Sequence, residues 1–161
     1  LWVINAKNIK VLFLGAGDTI KYRESEIDIL SPDEKSLLAK NLNETGIVEL
    51  IKMNGVRALF TADIEKKTER LLAHAFDLKA DILKAGHHGS KTSSDIEFLK
   101  EVNPAVVVLE FGENNRYKHP APQTIESFES LDIPALGTGV FGNIGITLAE
   151  NGLNITTEKK E

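Results

Sequence analysis

The feature that most constrains the fold is a unit that occurs three times in succession: a short apolar run, a polar loop, and a segment with the apolar spacing of an amphipathic helix. The apolar runs cover residues 56–61, 81–85 and 105–110. Repeated strand–loop–helix units build layered sheets in which the loops after the strands share one edge. We therefore predict a single domain over residues 1–161, with an α/β (layered α+β) fold. The polar loops after its strands are expected to lie together at one edge of the sheet.

Two asparagine–glycine pairs mark turns between strands. Asn54-Gly55 accepts the positive φ that both central positions of a type I′ turn require, and Asn151-Gly152 has the same composition. Both pairs predict hairpins. The strands predicted outside the repeated units cover residues 9–14, 27–30, 47–53, 133–136, 144–148 and 153–156.

Two capping boxes predict where helices begin. Ser31 and Glu34 have the S-x-x-E spacing, which predicts a short helix to about residue 40. Ser94 and Glu97 repeat that spacing at the start of the second helix of the repeated units. The first of these helices carries no candidate functional residue.

Composition excludes several classes of function. Cysteine is absent, which excludes disulfide frameworks, thiolate zinc sites and cysteine nucleophiles. The formal net charge of −5 argues against nucleic-acid binding through a broad basic face, so any phosphate contact must be local. No apolar run approaches the roughly 20 residues that cross a bilayer, and we expect this segment to be soluble. Since the chain begins with Leu1 and its one methionine is Met53, we expect a piece of a longer protein.

Four candidate metal ligands follow three neighbouring strands: Asp63, His87, His88 and His119. Carboxylate and imidazole are the strong ligands for zinc, manganese or iron in a chain without thiols. A carboxylate can bridge two ions about 3.5–4 Å apart, and such a pair activates water and binds the oxygens of a phosphodiester. This pattern predicts a hydrolytic metal site.

Polar loops beside these ligands suit an anionic substrate. Ser90, Lys91 and Thr92 offer phosphate-binding donors at a predicted helix start. Residues 114–118 form a second, locally basic loop, which can equally be a solvated loop with no ligand. The candidate substrate-binding residues of the two loops are Ser90, Lys91, Asn115, Arg116 and Tyr117.

The candidate ligands also have purely structural interpretations. Asp63 can be the N-cap of the helix that follows it, and His119 can be part of an ordinary helix start. His74 faces away from the apolar stripe of its helix, and we interpret it as a surface residue. The adjacent pair His87 and His88 contributes little to packing in a loop, which favours a function.

Three segments carry a resemblance to a known family. They are residues 60–65 (FTADIE), 83–93 (LKAGHHGSKTS) and 114–120 (NNRYKHP), with 43–48 (NETGIV) before them. In order and spacing they resemble the "TGDIE", "HHGSKTS", "NNRYGHPHP" and "NENSLV" segments in the C-terminal half of the metallo-β-lactamase domain of ComEC-type competence proteins. The resemblance covers roughly residues 9–149, and GHHGSKTS is its most specific element.

The resemblance implies a fold and roles for particular residues. The fold would be an αββα sandwich of two half-domains, with only the C-terminal half in this chain. Asp63 would bridge two metal ions, zinc or manganese, and one of His87 and His88 would bind the second ion, with His88 preferred. His119 would lie beside the substrate, which makes Asp63, His88 and His119 the candidate catalytic residues. Ser90 and Lys91 would contact phosphate.

The resemblance also implies partners and a location. In this bacterial family the domain is attached to a polytopic membrane protein that carries single-stranded DNA inward, and the domain is thought to degrade the other strand. We therefore expect a soluble phosphodiesterase or nuclease domain of a membrane-associated protein that serves DNA uptake. Single-stranded DNA and the membrane channel of the same polypeptide would be its partners. The side of the membrane stays open, with the cytoplasm as an alternative.

Three departures from the family pattern affect this expectation. The HxHxDH motif of the N-terminal half, which holds most of the metal, occurs nowhere in this chain, Ala62 replaces the usual glycine, and Ala121 replaces the second histidine of HPHP. We therefore expect the isolated segment to be inactive or to bind metal weakly, completed by upstream sequence or by another copy of the chain. The alternatives are a non-catalytic scaffold that binds partners, and a stand-alone hydrolase acting on a small phosphoester.

Overall fold

A computed structural model describes residue 7 and residues 9–150 and 152–159. Its main feature is a seven-stranded sheet in which the strands follow one another in sequence order, β1 to β7. The strands are β1 (Thr19–Tyr22), β2 (Ser25–Ser31), β3 (Val48–Met53), β4 (Val56–Phe60), β5 (Ile82–Lys84), β6 (Val106–Leu109) and β7 (Ala135–Gly137). Strands β1 to β4 pair antiparallel, and β4 to β7 pair parallel. The predicted α/β layered fold is confirmed.

Helices connect the parallel strands, as the repeated units predict. They are α1 (Lys66–Ala75), α2 (Ile96–Val102) and α3 (Pro122–Glu129). A short fourth helix, α4 (Thr138–Phe141), follows β7. Single 3-10 turns lie at Ser36–Leu38, Leu42–Thr45 and Gly86–Gly89. No helix in the part of the chain that the structure describes is long and apolar enough to cross a membrane.

The core lies between the helices and one face of the sheet. The register places Leu50 beside Leu59, Leu59 beside Leu83, and Leu83 beside Val107, so one apolar row crosses four strands. All four side chains are buried. Helix residues complete this core, namely Leu72 of α1, Phe98, Leu99 and Val102 of α2, and Phe128 of α3. Because side chains alternate along a strand, the neighbouring positions must face the opposite side.

The opposite face of the sheet is also apolar. Ile51, Ala58 and Ile82 lie on it and line a groove of about 370 Å³ together with Ile146 and Leu148 of a separate hairpin. This hairpin pairs β8 (Ile144–Ala149) with β9 (Gly152–Thr157). Beside the seven-stranded sheet, it is the one further sheet within residues 9–150 and 152–159.

The turn chemistry predicts the antiparallel pairs well. Asn54 and Gly55 have φ of +52° and +80°, and the hairpin that they connect pairs β3 with β4 in the expected register. The predicted pairing of the last two strands is likewise observed. Asn151 itself lies outside the described residues.

Two predictions for the first third of the chain are wrong. Residues 9–14 form no strand, and the strand that pairs with β2 is instead Thr19–Tyr22. Ser31 ends strand β2 beside Val48 and does not cap a helix. The carboxylate of Asp33 accepts hydrogen bonds from the backbone N–H and the hydroxyl of Ser36, and only a 3-10 turn forms, with Lys35 at its N-cap position.

The second capping box is displaced by one residue. Asp95, and not Ser94, caps helix α2 by accepting a hydrogen bond from the backbone N–H of Glu97 at 3.1 Å. The N-cap position of helix α1 is Glu65, whose side chain makes no capping hydrogen bond, so the alternative of Asp63 as a plain N-cap is wrong. This result leaves the Asp63 carboxylate free of a capping role.

Candidate active site

The site lies at one edge of the sheet because three parallel strands end there. The segments after β4, β5 and β6 carry Asp63, the pair His87 and His88, and His119. The carboxyl ends of parallel strands share one sheet edge, which is where ligands bind in α/β proteins. Asp63 and His88, 25 positions apart in sequence, thereby lie 3.5 Å apart, and the rings of His87 and His119, 32 positions apart, lie 5.9 Å apart.

Asp63 and His88 form the closest pair in this group. The Nε2 atom of His88 lies 3.5 Å from a carboxylate oxygen of Asp63, and each side chain is 44% exposed. The Nδ1 atom of His88 lies 2.7 Å from the backbone carbonyl of Glu110. A carbonyl oxygen only accepts, so Nδ1 is the protonated nitrogen in the neutral form of this ring, and Nε2 is the nitrogen that faces Asp63. This hydrogen bond orients His88 as histidines that bind metals are oriented.

His87 faces a different set of side chains. Its Nδ1 atom lies 3.5 Å from the hydroxyl of Thr92 and 3.9 Å from the carboxylate of Glu65. The Thr92 hydroxyl in turn donates to Glu65 at 3.2 Å. His87 and His88 have φ of +48° and +55°, and non-glycine residues hold such strained backbone mainly at functional sites. The strained backbone directs the two adjacent rings to separate partners.

His119 completes the group from the loop after β6. Its ring centroid lies 5.9 Å from that of His87, and its Nδ1 atom is buried without a hydrogen-bond partner among the described residues. Burial lowers the pKa of His119 below its usual 6.5, and the neighbouring His87 and His88 lower it further. His119 is therefore a neutral ring at pH 7.

The loop that carries His119 is held by Asn115. The side-chain amide of Asn115 donates to the carbonyls of Gly112 and His119, and its oxygen accepts from the backbone N–H of His119 at 2.8 Å. All of these hydrogen bonds of the Asn115 side chain are made to backbone groups of the same loop. The two other predicted substrate-binding residues of this loop, Arg116 and Tyr117, are exposed and lie beside His119.

The predicted phosphate-binding residues lie elsewhere than expected. Helix α2 begins at Ile96, so Ser90 and Lys91 are not at a helix start. Ser90 is buried, and its hydroxyl lies 3.1 Å from that of Thr92. Lys91 is exposed, and of these residues it alone extends into solvent.

Two residues near the site, Glu69 and Lys84, belong to no sequence pattern that predicts a function for them. Glu69 of helix α1 is 0% exposed, and its two oxygens accept hydrogen bonds from the backbone N–H groups of Ser94 and Asp95, each at 2.8 Å. Burial raises the pKa of Glu69 to about 7. Glu69 thereby fixes the end of the histidine-bearing segment to helix α1. Burial also lowers the pKa of Lys84 on β5, while the charges of Glu110 and Asp63 act in the opposite direction.

The donor types in this group can be compared with those of known metal sites. Carboxylate and imidazole are suitable donors, but a protein zinc site takes three or four of them. In the described part of the chain, no three histidine, aspartate or glutamate side chains converge closely enough to hold an ion. Asp63 and His88 therefore fit one side of a metal site and do not form a complete one.

Three named proteins are similar to this chain over most of its length. ComE operon protein 3 of Bacillus subtilis is 33% identical over 129 residues, which cover 80% of this chain and 16% of the relative. Recombination protein 2 of Haemophilus influenzae is 31% identical over 143 residues, 89% of this chain and 18% of the relative. Competence protein ComA of Neisseria gonorrhoeae is 31% identical over 132 residues, 80% of this chain and 18% of the relative.

These relatives point to the competence family. The chain spans less than a fifth of the length of these competence proteins. No protein-family model matches the chain. The segment shared with the competence proteins therefore includes most of this chain but a small part of each relative.

Proposed function

We propose that this chain is the C-terminal part of a metal-dependent phosphodiesterase or nuclease domain that serves bacterial DNA uptake. The observation that carries the proposal is the convergence of Asp63 and His88 at 3.5 Å, with His119 in the neighbouring loop. Carboxylate and imidazole at the carboxyl edge of a parallel sheet are the groups that metal-dependent hydrolases use. The names of the relatives support a role in competence.

The metal would be zinc or manganese, held on one side by Asp63 and His88, with His87 the weaker candidate because its ring faces Glu65. When bound, such ions supply a Lewis acid and an activated water. The residues of this chain would orient the substrate. His119, being neutral at pH 7, would donate or accept one hydrogen bond, and the exposed Arg116 would contact phosphate.

The complete domain would be a metallo-β-lactamase-like αββα sandwich. The apolar sheet face that carries Ile51, Ala58 and Ile82 is the face that a second sheet would cover in such a sandwich. That half-domain would bring the remaining metal ligands, either from the longer polypeptide that also holds the membrane channel or from a second copy of the chain. Single-stranded DNA would be the nucleic-acid partner.

A second candidate function is that of a non-catalytic scaffold. The observation that favours it is that no three potential ligands converge within residues 9–150 and 152–159. Ala62 and Ala121 stand where the family pattern has a glycine and a histidine, as expected of a site that has lost functional residues. In this case the fold would bind partners and would not bind metal.

Metal titration of the chain by isothermal calorimetry separates the two candidates. We expect weak binding of Mn²⁺ or Zn²⁺ that Asp63→Ala and His88→Ala each reduce by at least about 10-fold, as losing one of few ligands requires. His74→Ala is the matched control because His74 is exposed on helix α1, away from the site. Metal binding that is unchanged by Asp63→Ala and His88→Ala, or that His74→Ala reduces equally, would favour the scaffold.

A further inference from the structure

An exposed aromatic cluster lies beside the candidate active site. We call Arg116, Tyr117 and His119 the ring cluster. The Tyr117 and His119 rings are stacked, with centroids 5.8 Å apart and planes inclined by 16°. The Arg116 guanidinium carbon lies 4.7 Å from the centre of the Tyr117 ring. Tyr117 is nevertheless 64% exposed, so a large planar surface remains open to solvent.

The ring cluster borders a cavity of about 450 Å³. Tyr117 and His119 form part of its lining, and Phe111, Glu110 and His88 contribute other parts. A cavity of this size is typical of sites for small organic ligands. His88 belongs both to this cavity and to the pair with Asp63, so a ligand here would adjoin the candidate metal ligands.

The fold holds the aromatic walls of this cavity in fixed positions. The Phe111 ring fills the space where side chains would be at Gly137 and Gly139, since a Cβ built at these glycines would lie 2.5 Å and 2.4 Å from ring atoms. The backbone of Phe111 is bound on both sides by the Thr138 hydroxyl, at 2.9 Å and 3.0 Å. A preorganised aromatic cavity binds a planar ligand with little loss of entropy.

The charges around the cavity indicate which part of a nucleotide would occupy it. The Glu110 side chain is exposed at the cavity and would repel a phosphate there, whereas it can accept a hydrogen bond from a base. The Arg116 guanidinium lies over the Tyr117 ring and donates to the Tyr117 hydroxyl, and its remaining N–H groups are suited to a phosphate. A base stacks on an aromatic ring whatever its identity, because every base has a π face.

We propose that this cavity binds an unpaired nucleobase of a single-stranded nucleic acid, which stacks on Tyr117 while an adjacent phosphate contacts Arg116. The proposal deepens the function proposed above and rests on it for the choice of a nucleic-acid ligand. It assigns a stacking role to Tyr117 and places the neighbouring phosphodiester next to Asp63 and His88. A base that is paired in a duplex is not available to this cavity.

The chain contains a close internal control. Its second tyrosine, Tyr22, is 68% exposed and has the guanidinium carbon of Arg23 at 5.2 Å from its ring centre. Tyr22 lies on strand β1, and among the described residues it is not stacked on a histidine. The two pairs share their chemistry, and only Tyr117 lies at the cavity.

The test is a fluorescence-anisotropy titration of the chain with a labelled ten-nucleotide thymidylate strand. We expect Tyr117→Ala to weaken binding about 10-fold, the loss for one base–aromatic stack. Tyr117→Phe keeps the ring and is expected to bind as the unchanged chain does, and so is Tyr22→Ala. Circular dichroism checks that each variant is folded, and the same strand in a duplex is expected to compete poorly.

A strand of the same length made of abasic sites separates a base from a phosphate ligand. We expect it to bind about as weakly to the unchanged chain as thymidylate binds to the Tyr117→Ala chain. Equal binding of abasic and thymidylate strands, equal losses in Tyr117→Ala and Tyr22→Ala, or no binding by the unchanged chain at about 1 mM strand, a very weak limit, would each overturn the proposal.

Failure of this proposal can be distinguished from failure of the proposed function. Asp63→Ala is expected to abolish the metal signal in calorimetry. Tyr117→Ala is expected to leave that signal unchanged and to weaken binding of the thymidylate strand, since Tyr117 lines the cavity and is not one of the paired candidate ligands Asp63 and His88. Strand binding without metal binding would refute only the hydrolase, and metal binding without base-dependent strand binding would refute only the base cavity.

Discussion

The buried carboxyl of Glu69 leads us to predict how the free energy of unfolding depends on pH. Its side chain is 0% exposed on the inner side of helix α1, and burial raises its pKa from 4.5 to about 7. A carboxyl with a raised pKa contributes stability that is complete below pH 4.5 and is lost as the pH rises through about 7. The difference between 4.5 and about 7 corresponds to about 3 kcal/mol, most of which falls between pH 5 and pH 8.

Glu69→Gln is the perturbation that isolates this effect, because glutamine has nearly the same shape and does not titrate. At pH 5 we expect the variant to be about 1–2 kcal/mol less stable than the unchanged chain. Glutamine offers one oxygen where Glu69 offers two, so its NH₂ group faces the backbone N–H of Ser94 or of Asp95, which then has no acceptor. At pH 8 the unchanged chain has lost about 2–3 kcal/mol relative to the variant, so the order of stability of the two proteins reverses or they become equally stable.

Urea denaturation at pH 5, 6, 7 and 8 measures the free energy of unfolding of both proteins. Glu101→Gln makes the same chemical change at an exposed position of helix α2 and is expected to show no such dependence. A Glu69→Gln difference that stays constant from pH 5 to pH 8 would refute the reasoning. It would mean that the hydrogen bonds from the two backbone N–H groups lower the pKa of Glu69 by more than burial raises it, so that the carboxylate is ionised at every pH from 5 to 8.

Two further predictions concern strain and protonation in the site. Ala62 has φ of +45°, which costs an L-residue about 1 kcal/mol, so Ala62→Gly is expected to raise the free energy of unfolding by about 0.5–1 kcal/mol. Ala75→Gly in helix α1 is the control and is expected not to raise the free energy of unfolding. An increase in that variant too would contradict the explanation by backbone strain at Ala62. His119 is expected to protonate below pH 6.5 in an NMR titration, because burial and the nearby His87 and His88 disfavour its cation. Its protonation should therefore destabilise the fold as the pH falls, and a midpoint above 6.5 would contradict this.

Much of the fold follows from local patterns in the sequence. Asn54-Gly55 predicts a hairpin because the positive φ of its turn depends on those two residues alone. The repeated strand–loop–helix units predict parallel strands with a shared edge, and from this the approach of Asp63 to His88 could be expected. Each of these predictions uses information carried by residues that are neighbours in sequence.

The errors arise where distant residues decide the local structure. The segment after Ser31 has the spacing of a capping box, but Ser31 pairs with Val48 across the sheet and extends β2 in its place. Ser94 has the same spacing, yet the capping hydrogen bond from Glu97 is accepted by Asp95, and the backbone N–H of Ser94 donates to the distant Glu69. In both cases tertiary contacts outweigh a local preference worth only about 1 kcal/mol.

Local sequence patterns are enough to predict the turns, the strand–helix alternation and the set of residues able to form a site at the sheet edge. Which of these residues meet depends on packing: His88 faces Asp63, and His87 faces Glu65. Packing also buries Glu69 and leaves Tyr117 exposed beside a cavity. This difference arises because turn conformation and amphipathic spacing depend on neighbours in sequence, whereas burial, hydrogen-bond partners and pKa depend on groups that are brought close only when the sheet and helices pack.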